Sequence, residues 1–344
     1  MSSEQLNSTI KKNRQTVYSY IDKFLSKDHQ IDELRQFYQI LRDYPSRPSK
    51  GLRAALCSLT CETFGGNSHD TIITAAGLEL FQSWVLIHDD IEDDSEFRRG
   101  QPVLHRKHGI PLAINAGDAL HGKMWEIILG NQRILGDQKT LLILANFRKM
   151  LNETTEGQHL ELSWVKNQRW DLQESDYFLM CEKKTSWYTC IAPMRMGAII
   201  AGADNKIWEK IIPLGAKLGV AFQIQDDILN LSANKEYGKE IVGDIYEGKR
   251  TLILINFLKN CNSKEREEVI AILNKPRSQK TVNEIKRVVD LIRSSGALEY
   301  AKKTAMNLTN ELKHNFEVIF SNTNPTESKD ILRELLDYLV SRKW

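Results

Sequence analysis

The sequence of 344 residues lacks the features that would assign it to a membrane, to nucleic acid or to the cell exterior. No window holds 18 consecutive apolar residues, so we predict no transmembrane helix. The 47 basic and 45 acidic residues give a net charge of +2, which does not favour nucleic acid as a partner. The five cysteines are an odd number without a CxxC pair, which indicates free thiols in the cytoplasm.

Proline and strand-like segments are also scarce. The chain has eight prolines, and none lies between Pro111 and Pro193. Apolar residues recur at helical spacing in long windows such as residues 141–150 and 252–258. Alternating polar and apolar runs bounded by turn residues are absent, so we predict no sheet. The pattern predicts one all-α domain over residues 1–344, a bundle of long antiparallel helices.

One acidic block stands out against this background. The stretch DDIEDDSE, residues 89–96, follows an apolar helix end, SWVLIH. On a helix, Asp89, Asp90 and Asp93 lie at about 0°, 100° and 40°, so their carboxylates share one sector. Carboxylates at a helix C-terminus oppose the helix dipole, and a cation would relieve that penalty. Oxygen-only ligands suit Mg²⁺. For this block alone, a solvated acidic turn remains an alternative.

A second block makes that alternative less favoured. Asp226, Asp227 and Asn230 in QDDILN repeat the spacing at the end of another apolar helix. If the two blocks face each other across a deep central cavity, they would hold two or three metal ions and one highly anionic ligand. Basic residues beside the blocks or at a helix start fit the same ligand: Lys50, Arg53, Arg98, Arg99, Lys184, Lys239 and Lys249. The sequence contains neither GxxxxGK[ST] nor GxGxxG, so a nucleotide is not the obvious phosphate carrier.

These segments resemble the trans-isoprenyl diphosphate synthases, the family of farnesyl and geranylgeranyl diphosphate synthases. DDIEDDSEFRRGQP and FQIQDDILN are similar to the two aspartate-rich motifs of that family. SKGLR, GQHLEL, KTSWYT and GKEIVGDIYEGKRT are similar to its other segments, so the resemblance runs from Ser46 to Thr251. Three departures occur: Pro48-Ser49 replaces a double glycine, Glu161 replaces a usual Asp, and Asn230 replaces a frequent third Asp.

The resemblance implies the isoprenoid synthase fold, a homodimer, and a role for each matched residue. The residues that would bind two or three Mg²⁺ ions are Asp89, Asp90, Asp93, Asp226 and Asp227. Those that would contact the allylic diphosphate are Arg98, Lys184, Lys239 and Lys249. Those that would hold isopentenyl diphosphate are Lys50, Arg53, Gln82 and Arg99. Thr185 and Gln223 would place oxygens near the allylic cation, and with Lys184 they are the catalytic candidates.

Two aromatic residues before the first motif are candidates for the floor that limits product length. On a helix ending at Asp89, Trp84 and Phe81 lie about 7.5 Å and 12 Å below it, depths that suit a few isoprene units. The alternative is that both are core aromatics. The resemblance favours the floor, since the fifth residue before this motif commonly sets product length in the family. The same resemblance favours a C20 over a C15 product, because Val85 is small, unlike the paired aromatics of eukaryotic farnesyl synthases, and the motif lacks the two-residue insertion of bacterial ones.

The implied activity is condensation of isopentenyl diphosphate with dimethylallyl, geranyl or farnesyl diphosphate. Geranylgeranyl diphosphate is the favoured product, and farnesyl diphosphate is the alternative. A class I terpene cyclase is less favoured because Leu231 stands four residues after Asp227, where a cyclase motif typically has Ser. A non-catalytic subunit is less favoured because the first motif keeps all its aspartates.

Overall fold

The computed structural model describes residues 3–232, 242–321, 323–324 and 326–341 of the chain. Helices α1 to α8 span Ser3–Phe24, Asp32–Ser46, Leu52–Thr63, Ile72–Glu92, Leu104–His108, Ile110–Leu129, Gln132–Lys166 and Glu174–Cys181. Helices α9 to α16 span Ala192–Ala201, Asn205–Ser232, Gly243–Glu247, Leu252–Asn260, Ser263–Leu273, Val282–Ser294, Ala297–Ile319 and Glu327–Ser341. A π-helical segment, Glu182–Ile191, joins α8 to α9, and 3₁₀ turns occur at Ser68–Thr71 and Arg277–Gln279. The predicted all-α class is confirmed.

A short hairpin corrects the prediction that the chain contains no sheet. Strand β1, Phe97–Arg98, pairs antiparallel with β2, Gln101–Pro102. The turn uses left-handed backbone at Arg99 (φ 56°) and Gly100 (φ 74°), as a tight two-residue hairpin turn requires. Arg47 fastens the hairpin to α2, since its Nη1 donates to the carbonyl of Arg98 at 2.8 Å.

Helix α4 lies at the centre of the fold because it is apolar on nearly every face, as buried helices are. It packs against α1, α3 and α6. Residues 68–92 are long and apolar enough to cross a membrane, but 67% of their most apolar window is buried inside the protein, as in a core helix. Helix α10 packs against α15 and the π-helical segment. That the whole chain forms one domain stays a prediction.

Two glycines let the π-helical segment lie close to both of its neighbours. A Cβ added to Gly157 of α7 would lie 2.2 Å from the backbone nitrogen of Lys184. A Cβ added to Gly219 of α10 would lie 2.2 Å from Oγ of Ser186. Because contacts this short do not occur, only glycine permits this approach. The close packing places Lys184 between α7 and α10, facing the C-terminal end of α4.

Candidate active site

A cavity of about 1490 Å³, including space open to solvent, lies between α4, α7, the π-helical segment, α10 and α11. Its polar end is built from carboxylates and cations that come from different elements. The acidic residues that line it are Asp89, Glu92, Asp93, Glu161, Asp226, Asp227, Asp244 and Glu247. The basic residues that line it are Arg98, Lys184, Lys249 and Arg250. The structure therefore brings the two acidic blocks of the sequence to one cavity.

In the first block, Asp89 and Asp93 line the cavity and Asp90 does not. The side chain of Asp90 is fully buried and is held by two neighbouring side chains. It accepts hydrogen bonds from the hydroxyl of Tyr44 and from Nε of Arg98, the latter at 2.8 Å. This position does not favour Asp90 as a metal ligand, and that role stays a prediction. Its carboxylate instead holds α2 and the hairpin against the end of α4.

The cavity carboxylates of α4 are paired with cations from distant segments. Lys184 Nζ lies 3.3 Å from Asp89 Oδ1, and Lys249 Nζ lies 2.7 Å from Asp93 Oδ2. Burial raises the pKa of Asp89, but Lys184, Lys249 and Arg98 outweigh it and hold the pKa below its ordinary value. Burial and the nearby charge of Asp89 raise the pKa of Asp93 despite Lys249. Further positive charge would be needed to keep both carboxylates ionised.

The second block is held by its own hydrogen bonds. Asp227 accepts from the hydroxyl of Tyr177 at 2.8 Å and from Nε2 of Gln223 at 2.9 Å. Burial raises the pKa of Asp227 to about 7, and the charge of Asp226 adds to the effect. Asn230, the departure from a third aspartate, accepts from the backbone N–H of Asp244 at 3.3 Å and so fastens α11 to α10.

The predicted catalytic candidates meet at the same cavity. The hydroxyl of Thr185 donates to Oε1 of Gln223 at 2.9 Å, and both residues line the cavity beside Lys184. The amine of Lys184 also bonds Glu161. Burial lowers the pKa of Lys184, but the charges of Asp89 and Glu161 outweigh burial and raise it. Lys239 lies outside the described residues.

The four residues predicted to bind isopentenyl diphosphate do not line this cavity. They lie on α3, on α4 and in the residues next to α3 and β1: Lys50, Arg53, Gln82 and Arg99. The guanidinium of Arg53 lies 4.4 Å from the centre of the Tyr188 ring, and Tyr188 lines the cavity. Arg53 is 6% exposed, and within the described part of the chain its Nε has no hydrogen-bond partner. Burial lowers the pKa of Arg99, and the charges of Arg53 and Arg98 lower it further.

The structure separates the two aromatic residues predicted to form the floor. Trp84 lines the cavity and is 9% exposed, whereas Phe81 is fully buried and does not line it. The Phe81 ring packs edge-on against Trp84, with ring centres 5.3 Å apart, and also contacts Tyr188. His121 of α6 stacks on Trp84 with ring centres 4.3 Å apart. Phe81 therefore supports Trp84 from behind, and its role in limiting product length stays a prediction.

Several cavity residues were not predicted from the sequence. Glu247 is one: it bonds Lys249 at 2.8 Å and lies two residues before it in DIYEGK, which is the signal that could have identified it. Tyr188 is another, since it is an aromatic residue inside KTSWYT. The bonds of Tyr177, which lines the cavity, to Asp227 and of Tyr44, which does not, to Asp90 left no such signal, because each joins residues far apart in the sequence.

One family and several known proteins are similar to this chain. Residues 34–292 match the polyprenyl synthetase family. The geranylgeranyl diphosphate synthase of Sulfolobus acidocaldarius is 33% identical over 292 residues, which cover 85% of each chain. The crystal structure of the geranylgeranyl pyrophosphate synthetase of Pyrococcus horikoshii matches with a TM-score of 0.85, at 28% identity over 99% of each chain. The polyprenyl synthase of Caulobacter crescentus, crystallised with calcium and isoprenyl diphosphate, matches with a TM-score of 0.86 at 25% identity, covering 100% of this chain and 98% of that one.

Proposed function

The chain belongs to the polyprenyl synthetase family, and we propose that it makes geranylgeranyl diphosphate. It is a short-chain trans-prenyltransferase, which condenses isopentenyl diphosphate with allylic diphosphates. The observation that carries the proposal is the cavity itself, because carboxylates of α4 and α10 face it together with Arg98, Lys184 and Lys249. Such a donor set suits a polyphosphate held partly by metal ions and partly by direct charge-assisted bonds.

The carboxylates that face the cavity fit Mg²⁺. We propose that Asp89, Asp93, Asp226 and Asp227 hold two or three ions together with the substrate diphosphate. Within the part of the chain that the structure describes, no three potential ligands converge as a preformed metal site. That arrangement suits Mg²⁺, which commonly binds through one or two carboxylates plus substrate phosphates. When bound, Mg²⁺ would neutralise the charge that develops on the departing diphosphate.

The side chains of the cavity supply the remaining chemistry. The allylic C–O bond breaks and its electron pair leaves with the diphosphate, which Arg98, Lys184 and Lys249 stabilise by direct contact. We propose that the oxygens of Thr185 and Gln223, which share a hydrogen bond at the cavity wall, stabilise the allylic cation. The double bond of isopentenyl diphosphate attacks that cation, and a proton then passes to the departed diphosphate. The apolar wall below, which includes Trp84, keeps water from capturing the cation.

Product analysis tests this function directly. We expect purified protein with Mg²⁺, isopentenyl diphosphate and farnesyl diphosphate to yield geranylgeraniol after dephosphorylation, as seen by chromatography of the alcohols. Without isopentenyl diphosphate no product should form. A cyclic product in that control would identify a terpene cyclase, and a farnesol end product from dimethylallyl diphosphate would identify a farnesyl synthase. No product under any condition would contradict catalysis by the chain alone.

We propose that isopentenyl diphosphate binds beside Arg53 and Arg99, behind Tyr188. The buried Arg53 and the half-buried Arg99 lie close enough to affect each other's charge, and the Nε of Arg53 has no hydrogen-bond partner among the described residues. An anion would satisfy both features. Gln82 and Lys50 belong to the same proposed set, and Lys50 Nζ lies 5.5 Å from the ring centre of Tyr338 in α16.

Arg53→Ala should raise the KM for isopentenyl diphosphate and leave the allylic KM nearly unchanged. Loss of one charge-assisted contact weakens binding by roughly 1.5–3 kcal/mol, which is about 10- to 100-fold. Lys184→Ala is the matched comparison, because Lys184 faces the other diphosphate and should raise the allylic KM instead. Initial rates with each substrate varied in turn measure both values. Equal effects of Arg53→Ala on the two constants would contradict the assignment.

We also propose that the protein is a cytoplasmic homodimer that pairs through α6 and α7. These helices expose large apolar side chains that a second copy would cover: Ile114, Leu129, Ile134 and Leu141. The fraction exposed reaches 57% at Leu129 and 65% at Leu141. All five cysteines are free, which suits a reducing compartment.

A further inference from the structure

The short helix α11 forms part of the cavity wall, but it is not stable by itself. It has five residues, and both of its ends are left-handed, at Val242 (φ 56°) and Gly248 (φ 73°). A helix of this length is far too short to form by itself in water. Nevertheless Glu247, its last residue, lines the cavity, and Lys249 two residues later bonds Asp93 at 2.7 Å. Something outside α11 must fix its position.

Two buried cations hold the C-terminal carbonyls of α11. Lys280, 8% exposed, donates from Nζ to the carbonyl of Tyr246 at 2.6 Å and lies 3.4 Å from the carbonyl of Ile245. Arg250, 4% exposed, donates to the carbonyl of Gly248. Helix C-terminal carbonyls carry partial negative charge and have no partner within the helix, so cations suit this end.

Arg250 also ties this end of α11 to α7. Its Nη2 lies 3.3 Å from the carbonyl of Trp164 in α7, and its Nε donates to the carbonyl of Arg169 in the following loop at 3.0 Å. Lys280 and Arg250 both lie close to Gly248, because a nitrogen of each is 3.5 Å from the point where a Cβ of Gly248 would be.

Neither cation forms an ion pair with a carboxylate among the residues described. Glu247, whose charge acts on Lys280, bonds Lys249 instead and lies 3.6 Å from Arg277. Burying a cation without a counter-charge costs free energy. Only the carbonyls of α11 and its neighbours offset this cost. The two cations therefore contribute more to fixing the position of α11 than to stabilising the fold.

We infer that Lys280 is a positioning residue for the allylic diphosphate: by capping α11 it sets the place of Lys249 at the cavity. The inference rests on the proposed function. Lys280 itself does not line the cavity, so it acts only through the backbone of residues 245–249. Losing the cap should free α11 to shift, and the direct contact of Lys249 with the diphosphate should weaken.

The protonation of Lys280 makes this role depend on pH. Burial lowers the pKa of Lys280 to about 8, and the charges of Arg250 and Arg277 lower it further, against Glu247. Above this pH the amine loses its charge and becomes a weaker donor to the carbonyls. The ordinary lysine pKa in an unfolded chain is about 10.4, so this group stabilises the folded state more, not less, as pH rises above 8. A loss of activity there would not arise from unfolding at this residue.

Three variants test the inference. We expect Lys280→Met to lower kcat/KM for the allylic substrate by about tenfold or more, with the KM for isopentenyl diphosphate within about twofold of wild type, since only one diphosphate contact is affected. Lys280→Arg, which stays charged, should restore most of the activity. Lys275→Met is the matched control: Lys275 lies in the same loop, its side chain is 40% exposed, and it pairs with Glu284 at the surface.

The pH profile supplies the decisive readout. Wild-type kcat/KM for the allylic substrate should fall above pH 8, and Lys280→Arg should keep its activity to higher pH. Identical falling limbs in the two proteins, or equal losses for both substrates in Lys280→Met, would overturn the inference. If Lys280→Met does not fold, as judged by circular dichroism, the Lys280→Arg profile still decides. An inactive wild type would contradict the proposed function instead.

Discussion

Replacing Asp93 by asparagine should lower turnover by about 10³-fold or more, since one carboxylate at a metal-assisted leaving group contributes at least as much as one oxyanion donor. Asp93 lies at the end of α4, lines the cavity and accepts from Lys249 at 2.7 Å. Asparagine keeps the shape of the side chain and removes its charge. We also expect the variant to need a higher Mg²⁺ concentration for half-maximal rate. Steady-state rates across a Mg²⁺ titration, at saturating substrates, measure both effects.

Asp94→Asn is the matched control for this prediction. Asp94 is the next residue, its side chain is 61% exposed, and it pairs with Arg106 outside the cavity. Its backbone is left-handed (φ 53°), a conformation that asparagine adopts readily. Turnover of this variant should stay within about twofold of wild type, because an exposed ion pair contributes little. If Asp93→Asn keeps more than about a tenth of wild-type turnover at saturating Mg²⁺, Asp93 does not serve the metal.

The first acidic block shows how far the sequence predicts the site. Helical spacing correctly places the carboxylates of Asp89 and Asp93 on the same side of α4, facing the cavity. It cannot show that Asp90, about 100° away, turns toward another helix. The hydroxyl of Tyr44, 46 residues earlier in the chain, donates a hydrogen bond to Asp90 there. Such a contact depends on how α2 packs against α4, which local periodicity does not contain.

The arginine pair gives a second example. Charge alone assigns Arg98 and Arg99 to one anionic ligand, and only the family resemblance gives them different substrates. The hairpin instead directs Arg98 into the cavity, where its Nη2 lies 3.2 Å from Asp89, while Arg99 lies against α2 and donates to the carbonyl of Tyr44 at 3.5 Å. The cause is the positive φ at Arg99, which turns the chain between the two side chains.

The π-helical segment was not predicted at all. KTSWYT reads as ordinary helix, because a π-helix has no compositional signature. The extra residue per turn nevertheless changes which side chains face the cavity: Lys184, Thr185 and Tyr188 all line it. Sequence similarity to a family supplies such residues where periodicity fails, since it compares matched positions and not faces of an assumed helix.

Trp84→Ala should lengthen the main product from C20 to C25 or longer while turnover persists. The indole of Trp84 lies on the cavity wall, about 7.5 Å below Asp89 along α4. Phe81 and His121 pack directly behind it, with ring centres 5.3 Å and 4.3 Å away. Removing the indole therefore opens space that is bounded by these two side chains, and one more isoprene unit can enter. Chromatography of the dephosphorylated alcohols measures the product distribution.

The Phe81→Leu variant tests whether Phe81 limits product length directly or only packs in the core behind Trp84. Phe81 is fully buried behind Trp84, so its shortening should leave product length unchanged as long as the indole remains in front of it. In a Phe81→Leu/Trp84→Ala double variant the same change should lengthen the product beyond that of Trp84→Ala alone. Because the two residues touch, their effects should be non-additive, and this coupling is the signature of a layered floor. If Trp84→Ala keeps the wild-type product length, Trp84 only packs in the core, and the prenyl tail of the product lies along another wall of the cavity.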